Sequence, residues 1–588
     1  MDYYSDIDEI ESRIAQLPKG SIGKKNVNGK TYYYHRWTEN GKLVEKYIPK
    51  DSLDSMRAAI EEREHLQMLR QTMRQDSYVS EVPPKDFRLN VLTNRQLRDF
   101  AKGIETFRKR ECFEDILSYL HDRSEKVLVL YGLRRTGKTT LIRQAINSFS
   151  PEETIRAAFI QITPNDSMAD LNHDLKELQR SGYRYVFIDE ITFMEDFIGG
   201  SALLSDIFVT SGMRIVLSGT DSLGFLFARE EQLYDRCVFI HTTFIPYREF
   251  DHVLGISGID EYIRYGGTMS LGGVHYNRTS TFSTPKSTDE YVDSSIANNI
   301  QHSLKHYQFQ GHFRALQELY EKHELTGAIN RVVEDMNHRF TVETLTRTFR
   351  SNDLALSARN LRNDKAEPDS TLDEVDVPEI TKRLVSLLEI KEKEEQTVSI
   401  RQIHADEIKE YMDLLDLTAD IDVLDTKGGS STRTVITQPG LRYSQVQALI
   451  ESLLQDRVFS DLSAEKKAYI LQRMRDEVRG RMTEDIVLLE TKMANPGRQV
   501  FKLQFAVGEY DMVIFDPDSI SCDIFEIKHS TEIHPNQVRH LLDSAKNSET
   551  EFRFGRIRSR NVIYRGQSKT VSGVNYLNVE EYLNSLIR

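Results

Sequence analysis

Short apolar runs, bounded by polar residues and turn formers, recur through the middle of the chain. Runs of this kind are typical of buried parallel strands, and the stretches between them have helical periodicity. The alternation predicts an α/β domain with a parallel sheet over residues 85–270. The predicted strands are residues 127–131, 157–162, 185–188, 215–217 and 238–240.

Residues 1–75 have a different pattern, in which β-prone runs are separated by Asn28-Gly29 and Asn40-Gly41. Asn-Gly pairs favour tight hairpin turns, so a small β-meander is predicted, followed by a charged helix over about 51–74. Residues 19–50 hold eight Lys or Arg and two Glu. Aromatic residues between the lysines could stack on bases, or could simply form the core of a tiny sheet. They are Tyr32, Tyr33, Tyr34, Trp37 and Tyr47.

Residues 271–465 read as mostly helical and polar, with a Ser/Thr-rich stretch at 277–288 and an acidic connector at 364–379. Helices followed by a hairpin that turns at Lys427-Gly428-Gly429 predict a winged-helix-like unit within 378–458. Its helices hold as many acids as bases, which favours a structural or intersubunit role over DNA reading. Residues 466–588 begin with a long helix and continue as three strands, a helix and a strand.

Composition narrows the class of protein. The 588 residues allow about three or four domains, and a 39% hydrophobic and 29% charged composition is typical of a globular protein. The acidic start and the lack of a long apolar run predict a cytoplasmic protein with no membrane contact. Three distant cysteines argue against disulfides or structural zinc. Because the net charge is −14, any polyanion must meet a local basic patch.

The clearest motif lies between the first predicted strand and a helix. The sequence GLRRTGKT, from Gly132 to Thr139, satisfies the pattern GxxxxGK[ST] in full. Its glycines let backbone N–H groups face phosphates, Lys138 would reach the β and γ oxygens, and the Thr139 hydroxyl would ligate Mg2+. The motif therefore predicts an ATP and Mg2+ site. Its predicted phosphate-binding residues are Gly132, Arg135, Thr136, Gly137, Lys138, Thr139 and Thr140.

Two acids end the third predicted strand. Asp189 would hold Mg2+, and Glu190 would act as the catalytic base that polarises the attacking water. Ser218, with Thr220 as the alternative, is the candidate sensor of the γ-phosphate. Arg236 could stabilise phosphate charge, either in its own chain or toward a neighbouring subunit.

These segments resemble a family of prokaryotic AAA-type ATPases (DUF4143-like) with a C-terminal winged helix and a restriction-endonuclease-like domain. The resemblance rests on GLRRTGKTTLIRQ, YVFIDEITF, IVLSGTDS, YDRCVFIHTTFIPYREF and YIRYGG, and covers about residues 90–588. Two positions depart from the family: GTDS replaces the usual GSS, and Thr268 stands where proline is usual. In the family, PYREF is a structural marker without a known catalytic role.

A second metal site is predicted in the last region. Nuclease cores of the PD-(D/E)xK type place an acid on one strand and Glu-x-Lys on the next, so that two carboxylates meet one Mg2+ and the lysine orients a water. Asp511 and then Glu526 and Lys528 fit this order, and Glu484 is the upstream helical acid. Asp511 and Glu526 are the predicted metal ligands. The tripeptide Glu-Ile-Lys also occurs at 389–391 and 407–409 in helical surroundings, so the order of elements carries the prediction.

A second basic patch follows this site. Arg553, Arg556, Arg558 and Arg560 read as an alternating strand that could contact a DNA backbone or be a charged sheet edge.

The combined hypothesis is an ATP-hydrolysing AAA-type motor or switch coupled to a Mg2+-dependent DNA nuclease, in a setting of defence or mobile elements that the resemblance suggests. The resemblance also implies self-association, because AAA-type domains usually need a neighbour's arginine. Two alternatives stay open: a nucleotide-dependent scaffold whose nuclease-like domain only binds DNA or a partner, and a signalling ATPase acting on proteins.

Overall fold

A computed structural model describes most of the chain. The described residues are 13–27, 30–39, 42–79, 87–122, 125–194, 196–220, 224, 225, 228, 233, 235–268, 292–306, 313–350, 400–455 and 463–586. The two Asn-Gly turns, the Ser/Thr-rich stretch and the acidic connector lie outside them.

The N-terminal module is a three-stranded antiparallel meander followed by a helix, which confirms the predicted small sheet. Its strands are β1 (Ser21–Val27), β2 (Lys30–Glu39) and β3 (Lys42–Ile48), and α1 spans Leu53–Val79 after a helical turn at Lys50–Ser52. Tyr33 lies opposite Ile48 and Tyr34 opposite Tyr47. Because side chains alternate along a strand, these two pairs lie on opposite faces of the sheet.

The second sheet contains all five predicted parallel strands, in the order β4-β6-β7-β8-β5-β9. The additional strand, β4, pairs antiparallel to β6; it has only four residues, too few for an apolar run to mark it. The strands are β4 (Asn90–Thr93), β5 (Val127–Tyr131), β6 (Ala157–Gln161), β7 (Tyr185–Asp189), β8 (Arg214–Gly219) and β9 (Cys237–His241).

Helices cover both faces of this sheet, which explains why its strands are apolar at consecutive positions. On β5, Leu128 and Leu130 belong to one buried core, and Val127 and Val129 to the other. These helices are α2 (Asn94–Ala101), α3 (Phe113–His121), α4 (Lys138–Asn147) and α5 (Met168–Arg180), with shorter turns at Pro151–Thr154, Ile191–Phe193, Phe197–Gly200 and Leu204–Val209. After β9, α6 (Tyr247–Leu254) and α7 (Ile259–Tyr265) pack into a core shared with the C-terminal part of the chain.

The middle of the chain is helical where it is described. Its helices pack around one apolar cluster, which includes Ile300, Leu316, Ile329 and Met412. They are α8 (Asn298–His306, after a wide turn at Asp293–Ala297), α9 (Arg314–Glu321), α10 (Leu325–Arg350), α11 (Gln402–Leu414) and α12 (Pro439–Leu454).

The C-terminal sheet is mixed, with eight strands in the order β11-β10-β12-β13-β14-β15-β17-β16. Its strands are β10 (Thr418–Asp425), β11 (Ser430–Ile436), β12 (Gln499–Gln504), β13 (Glu509–Asp516), β14 (Ser521–Ile527), β15 (Arg556–Tyr564), β16 (Lys569–Val571) and β17 (Val574–Asn578). Its helices are α13 (Ala464–Ala494), α14 (Ser544–Phe554) and α15 (Val579–Ser585), with a turn at Pro535–Val538. The helix predicted between the third and fourth strands of this region is α14.

The hairpin assigned to a winged helix belongs to this sheet. β10 pairs parallel to β12, with Asp422 opposite Phe501. The predicted boundary near residue 465 therefore divides residues that share one sheet. A hairpin has the same local pattern in a wing and at a sheet edge, and only the long-range pairing with β12 distinguishes them.

The ATP-site domain and the C-terminal sheet share one hydrophobic core. Tyr247 and Phe250 of α6 and Ile263 of α7 join the same buried cluster as Val478 and Met482 of α13. Relative movement of the two parts would expose apolar surface from both. Within the part of the chain described here, no helix combines the length and apolar character that crossing a bilayer requires.

Candidate functional sites

The loop after β5 has the backbone conformation that phosphate binding requires. Gly132 and Gly137 have φ values of 145° and 93°, and Arg135 has a φ of 66°. A Cβ on Gly132 would lie 2.3 Å from the Thr242 carbonyl oxygen, so a side chain cannot be accommodated there. The loop thus curls tightly against the end of β9 and leads directly into α4.

Lys138 is buried inside this loop. Its Nζ donates hydrogen bonds to the carbonyl oxygens of Gly132 and Leu133, each at 2.7 Å. Burial lowers the pKa of Lys138 to about 8, although Glu190 and Asp189 oppose the shift. Among the residues that the structure describes, the ammonium group is hydrogen-bonded only to backbone carbonyls, which are weaker partners than phosphate oxygens. The loop therefore fits a polyphosphate.

The two predicted Mg2+ residues of this site lie together. The Thr139 hydroxyl donates to Asp189 Oδ2 at 2.9 Å. Ser218 also donates to Asp189, at Oδ1. Neighbouring parallel strands β7, β8 and β5 bring these residues to the same edge of the sheet. Ser218 is thus placed beside the Mg2+ carboxylate, and an oxygen cluster of this kind fits Mg2+.

Glu190 follows Asp189 in a conformation that is unfavourable for a residue with a side chain, with φ of 57°. The N–H and hydroxyl of Thr220 each donate to its Oε2 at 3.3 Å. Burial raises the pKa of Glu190; Lys138 opposes the shift and Asp189 adds to it. The two candidate sensors therefore have different contacts, since Ser218 binds the metal carboxylate and Thr220 binds the candidate base.

Of the other predicted nucleotide-binding residues, Thr136 and Thr140 lie at the phosphate loop and Arg236 lies far from it. Thr136 Oγ1 donates to the Leu133 carbonyl oxygen at 2.8 Å within the loop, and Thr140 lies in the first turn of α4. Arg236 precedes β9, whose first residue pairs with the first residue of β5. Since the loop follows the other end of β5, Arg236 lies about 15 Å away at about 3.3 Å per residue.

Arg236 therefore does not reach the loop of its own chain. It forms an ion pair with Asp206 at 2.8 Å. A role toward a neighbouring subunit stays a prediction.

A buried ion pair contacts the backbone of the phosphate loop. Arg110 pairs with Glu249 of α6, and both side chains are 5% exposed. Arg110 Nη1 also donates to the Thr136 carbonyl oxygen at 2.8 Å. Glu249 is the glutamate of PYREF, so this motif contacts the phosphate loop through one arginine. Sequence reasoning missed the pair because its members are 139 residues apart.

The second predicted site also comes together. Register places Asp511 of β13 directly across from Glu526 of β14, next to the Met512–Phe525 pair. Lys528 Nζ lies 2.9 Å from Asp511 Oδ2 and 2.7 Å from Glu526 Oε2. The Ile527 N–H donates to Asp511 Oδ2 at 2.8 Å. Asp511 and Glu526 are buried, and Glu526 Oε1 has no hydrogen-bond partner among the described residues.

The charges of this pair are unequal. Burial would raise the pKa of Asp511, but Lys528, Lys502 and the Ile527 N–H hold it well below the ordinary value. Burial and then the Asp511 carboxylate raise the pKa of Glu526. Two buried carboxylates with one free oxygen form a site that gains from a cation. The pair fits Mg2+ on this ground.

Glu484 lies near the pair but is held by cations. Arg481 Nη1 donates to its Oε2 at 2.5 Å, and Lys502 Nζ lies 3.5 Å from the same oxygen. Across the described ranges, no set of three or more His, Cys, Asp or Glu side chains is arranged to hold a metal.

Sequence reasoning did not identify Lys502 as part of this site. It is 3% exposed within β12, and a lysine inside an apolar strand is an unusual signal. It also contacts Glu509 Oε1 at 2.8 Å.

The residue after Lys528 contacts the ATP-site domain. His529 Nε2 lies 3.1 Å from Asp260 Oδ1 on α7, and Arg565 Nη2 lies 2.6 Å from Asp260 Oδ2. His529 and then Arg565 lower the pKa of Asp260 to about 2, against the effect of burial.

The carboxylate pair of Asp511 and Glu526 opens on a cavity of about 460 Å³. Glu484, Gln504, Glu509 and Lys528 also line a larger adjoining cavity of about 1390 Å³.

The second basic patch is not one alternating strand. Arg553 ends α14, whereas Arg556, Arg558 and Arg560 lie in β15. β15 is an internal strand between β14 and β17, so the sheet-edge interpretation does not hold. Arg558 pairs with Asp523, and Arg560 Nε donates to the Leu541 carbonyl oxygen at 3.2 Å. Arg553, Arg558 and Arg560 therefore make contacts within the fold, Arg553 by donating to the Asp425 carbonyl oxygen at 3.1 Å.

Comparison with known proteins assigns two segments. Residues 124–251 match a family model described as an AAA domain, and residues 2–58 match a domain of unknown function (DUF6788). No curated protein matches the chain. The matched models leave the C-terminal sheet unassigned, so its likeness to restriction endonucleases stays a prediction.

Solved structures similar to the chain are distant. An S. cerevisiae Hsp104:casein complex in an extended conformation is 18% identical, with 28% of this chain and 32% of that chain covered and a TM-score of 0.23. A structure of katanin self-assembly is 15% identical, with 41% of this chain and 87% of that chain covered and a TM-score of 0.22. The Aeropyrum pernix Orc1 protein in complex with DNA is 16% identical, with 63% of this chain and 99% of that chain covered and a TM-score of 0.22. The chain spans about a third of the Hsp104 chain.

The matched model and the phosphate loop agree on one class. The chain carries a P-loop ATPase domain of the AAA type at residues 124–251, between a small antiparallel sheet and a mixed C-terminal sheet.

Proposed function

We propose that the chain is an ATP-hydrolysing AAA-type switch that controls a Mg2+-dependent DNA endonuclease in its C-terminal sheet. One observation carries the proposal. A buried carboxylate pair with an adjacent lysine is followed directly by His529, which contacts Asp260 on α7, the helix that follows the matched ATPase segment. This contact links the predicted metal site to the end of the ATPase segment.

In the ATPase half, Lys138 donates to the phosphates, and Thr139 and Asp189 would hold Mg2+, which when bound neutralises phosphate charge. Glu190 orients and polarises the attacking water. The Thr139 hydroxyl binds Asp189 and not Glu190, whose carboxylate accepts a hydrogen bond from Thr220. Glu190 therefore remains available to act on water.

In the C-terminal half, Asp511 and Glu526 would hold Mg2+, and Lys528 positions the water that attacks a phosphodiester. Lys528 is suited to this because its Nζ lies within 3 Å of one oxygen of each carboxylate, 2.9 Å from Asp511 Oδ2 and 2.7 Å from Glu526 Oε2. Burial alone would lower the pKa of Lys528, but the Asp511 and Glu526 carboxylates outweigh this effect and raise it. Lys528 therefore remains an ammonium group.

Plasmid nicking tests the nuclease half. We expect Lys528→Ala to lower Mg2+-dependent nicking by about 100-fold or more, the usual loss when a charge-stabilising or water-positioning group is removed. Lys409→Ala is the matched control, because Lys409 ends a Glu-Ile-Lys tripeptide in α11 and pairs with Asp420 instead. Equal nicking by wild type and Lys528→Ala would refute this half.

ATP turnover tests the other half separately. Glu190→Gln should lower the hydrolysis rate by about 100-fold or more while ATP still binds. Glu152→Gln changes an exposed glutamate of the same domain and should have no effect.

A non-catalytic scaffold is the second candidate, and the engagement of Glu484 by Arg481 and Lys502 favours it. Titration of the whole chain with Mn2+ in the absence of nucleotide separates the two candidates. A catalytic site should bind Mn2+ in a manner that Asp511→Asn abolishes, whereas a scaffold should show no such binding. The whole chain is needed because β10 and β11 complete the sheet.

A further inference from the structure

The N-terminal sheet carries three tyrosines on one face, of which Tyr32 and Tyr34 are half-buried and Tyr47 is exposed. Tyr47 is 51% exposed, and its ring centroid lies 6.1 Å from Tyr32 and 5.9 Å from Tyr34. Lys25 Nζ lies 5.0 Å from the centroid of the Tyr34 ring. Tyr32, Tyr34, Tyr47 and Lys25 are called the tyrosine face below.

The opposite face of the same sheet is built differently. Ile48, which shares a face with Tyr33, is 4% exposed. The buried apolar cluster of the module is formed by Ile14, Leu17 and Leu66, and no ring of the tyrosine face belongs to it. The rings of the tyrosine face are not needed for that core, so the interpretation of all these aromatics as core residues does not account for Tyr47.

Charge identifies the kind of partner. Residues 19–50 carry eight Lys or Arg and two Glu, a net of +6, whereas the rest of the chain carries −20. Of the exposed lysines, Lys25 lies on the tyrosine face, whereas Lys24, Lys42 and Lys46 lie on the opposite face of the thin sheet. Of the two acids, Glu45 accepts ion pairs from Lys25 and Arg36. A basic module on an otherwise acidic chain attracts polyanions.

We propose that the tyrosine face binds single-stranded nucleic acid. Exposed rings stack on bases, while the ammonium groups of Lys25 and of the other lysines on the edge strands β1 and β3 neutralise phosphates. Stacking of this kind requires unpaired bases, because the faces of paired bases are covered by their neighbours in a duplex. The site lies outside the ATPase and C-terminal domains, and it stands whether or not either of them is active.

The test measures binding of fluorescein-labelled oligo(dT) and oligo(U) to the whole chain by anisotropy, in EDTA so that no metal-dependent cleavage occurs. We expect binding that weakens steeply between 50 and 200 mM salt. Tyr47→Ala should raise Kd by at least about fivefold, the lower end of what one stacked base contributes, and Tyr47→Phe should restore binding. Comparison of oligo(dT) with oligo(U) decides between DNA and RNA.

Two features of the chain make the result specific to this face. Phe552→Ala is the matched control, since Phe552 is a 91% exposed aromatic in α14 and its loss should not change Kd. Trp37 is the single tryptophan of the chain and lies in β2, so its emission reports both the fold of each variant and binding at this module.

Three results would overturn the proposal: undetectable binding of both oligonucleotides, a Kd that Tyr47→Ala leaves unchanged, or tighter binding of a duplex with the same tyrosine dependence. Displacement of the oligonucleotide from this face by a polyglutamate peptide at equal charge concentration would point to an acidic protein partner instead, and would also overturn it.

Discussion

Glu490 is a buried carboxyl group at the junction between the ATPase domain and the C-terminal sheet. It lies on α13, is 1% exposed, and its Oε1 accepts a hydrogen bond from the Tyr247 N–H of α6 at 2.8 Å. Its Oε2 has no hydrogen-bond partner within the described part of the chain. Burial raises the pKa of Glu490 to about 7, although the Tyr247 N–H and Arg248 oppose the shift. We expect the substitution Glu490→Gln to stabilise the protein above neutral pH.

The magnitude follows from the shift. Between its ordinary value of 4.5 and about 7, the folded chain binds a proton at Glu490 that the unfolded chain has lost. The free energy of unfolding therefore falls as pH rises through this window, and the loss is complete above about pH 7. At about 1.4 kcal/mol per pKa unit the total is about 3 kcal/mol. Glutamine keeps an acceptor for the Tyr247 N–H but never ionises.

The assay compares thermal unfolding of wild type and Glu490→Gln from pH 5 to pH 8. We expect similar midpoints at pH 5 and a midpoint a few degrees higher for the variant at pH 8. Other titrating groups contribute equally to both proteins and cancel in the difference. Glu465→Gln changes an exposed glutamate of the same helix and should follow wild type throughout. A difference between wild type and Glu490→Gln that stays constant across this range would refute the reasoning.

Three further predictions concern the two sites and their supports. Arg110→Met should lower the thermal midpoint by several degrees, because it leaves Glu249 buried without its partner, at a cost of about 3–5 kcal/mol. If the unpaired charge is the cause, the double variant Arg110→Met/Glu249→Leu should unfold near the wild-type midpoint. ATP affinity measured by calorimetry should fall as pH rises above about 8, by up to tenfold per unit, because burial lowers the pKa of Lys138 and phosphate binding needs its proton. Asp260→Asn should weaken DNA nicking about tenfold while ATP hydrolysis is unchanged, because it removes the ion pair that positions His529; equal effects on both activities would mean a general loss of folding.

The phosphate loop and the carboxylate pair were accessible to sequence reasoning for the same physical reason. In each, the backbone itself fixes where neighbouring functional groups lie: a tight turn between β5 and α4 in the first, and two antiparallel strands in the second. Asp511, Glu526 and Lys528 could be placed together because alternation along adjacent strands decides which side chains share a face.

Residues contributed by distant segments could not be found this way. Lys502 reaches Asp511 from β12, and Asp260 reaches His529 from another domain, 269 residues away in sequence. Nothing local to either residue predicts its partner. The assignment of β10 and β11 to a wing has the same origin, because pairing with β12 depends on a strand that begins 74 residues after β10 ends.

The segment around PYREF explains how two distant sites can influence each other. On α6, the Tyr247 N–H is tied to Glu490 of α13, and two residues later Glu249 is tied to Arg110 beneath the phosphate loop. Asp260 on the next helix then contacts His529. Because these helices also share a core with α13, they cannot move with the phosphate loop without straining contacts on the C-terminal side. Under the proposed function, ATP would bias the carboxylate pair by favouring one arrangement of these contacts over another, and the junction would then set the strength of coupling.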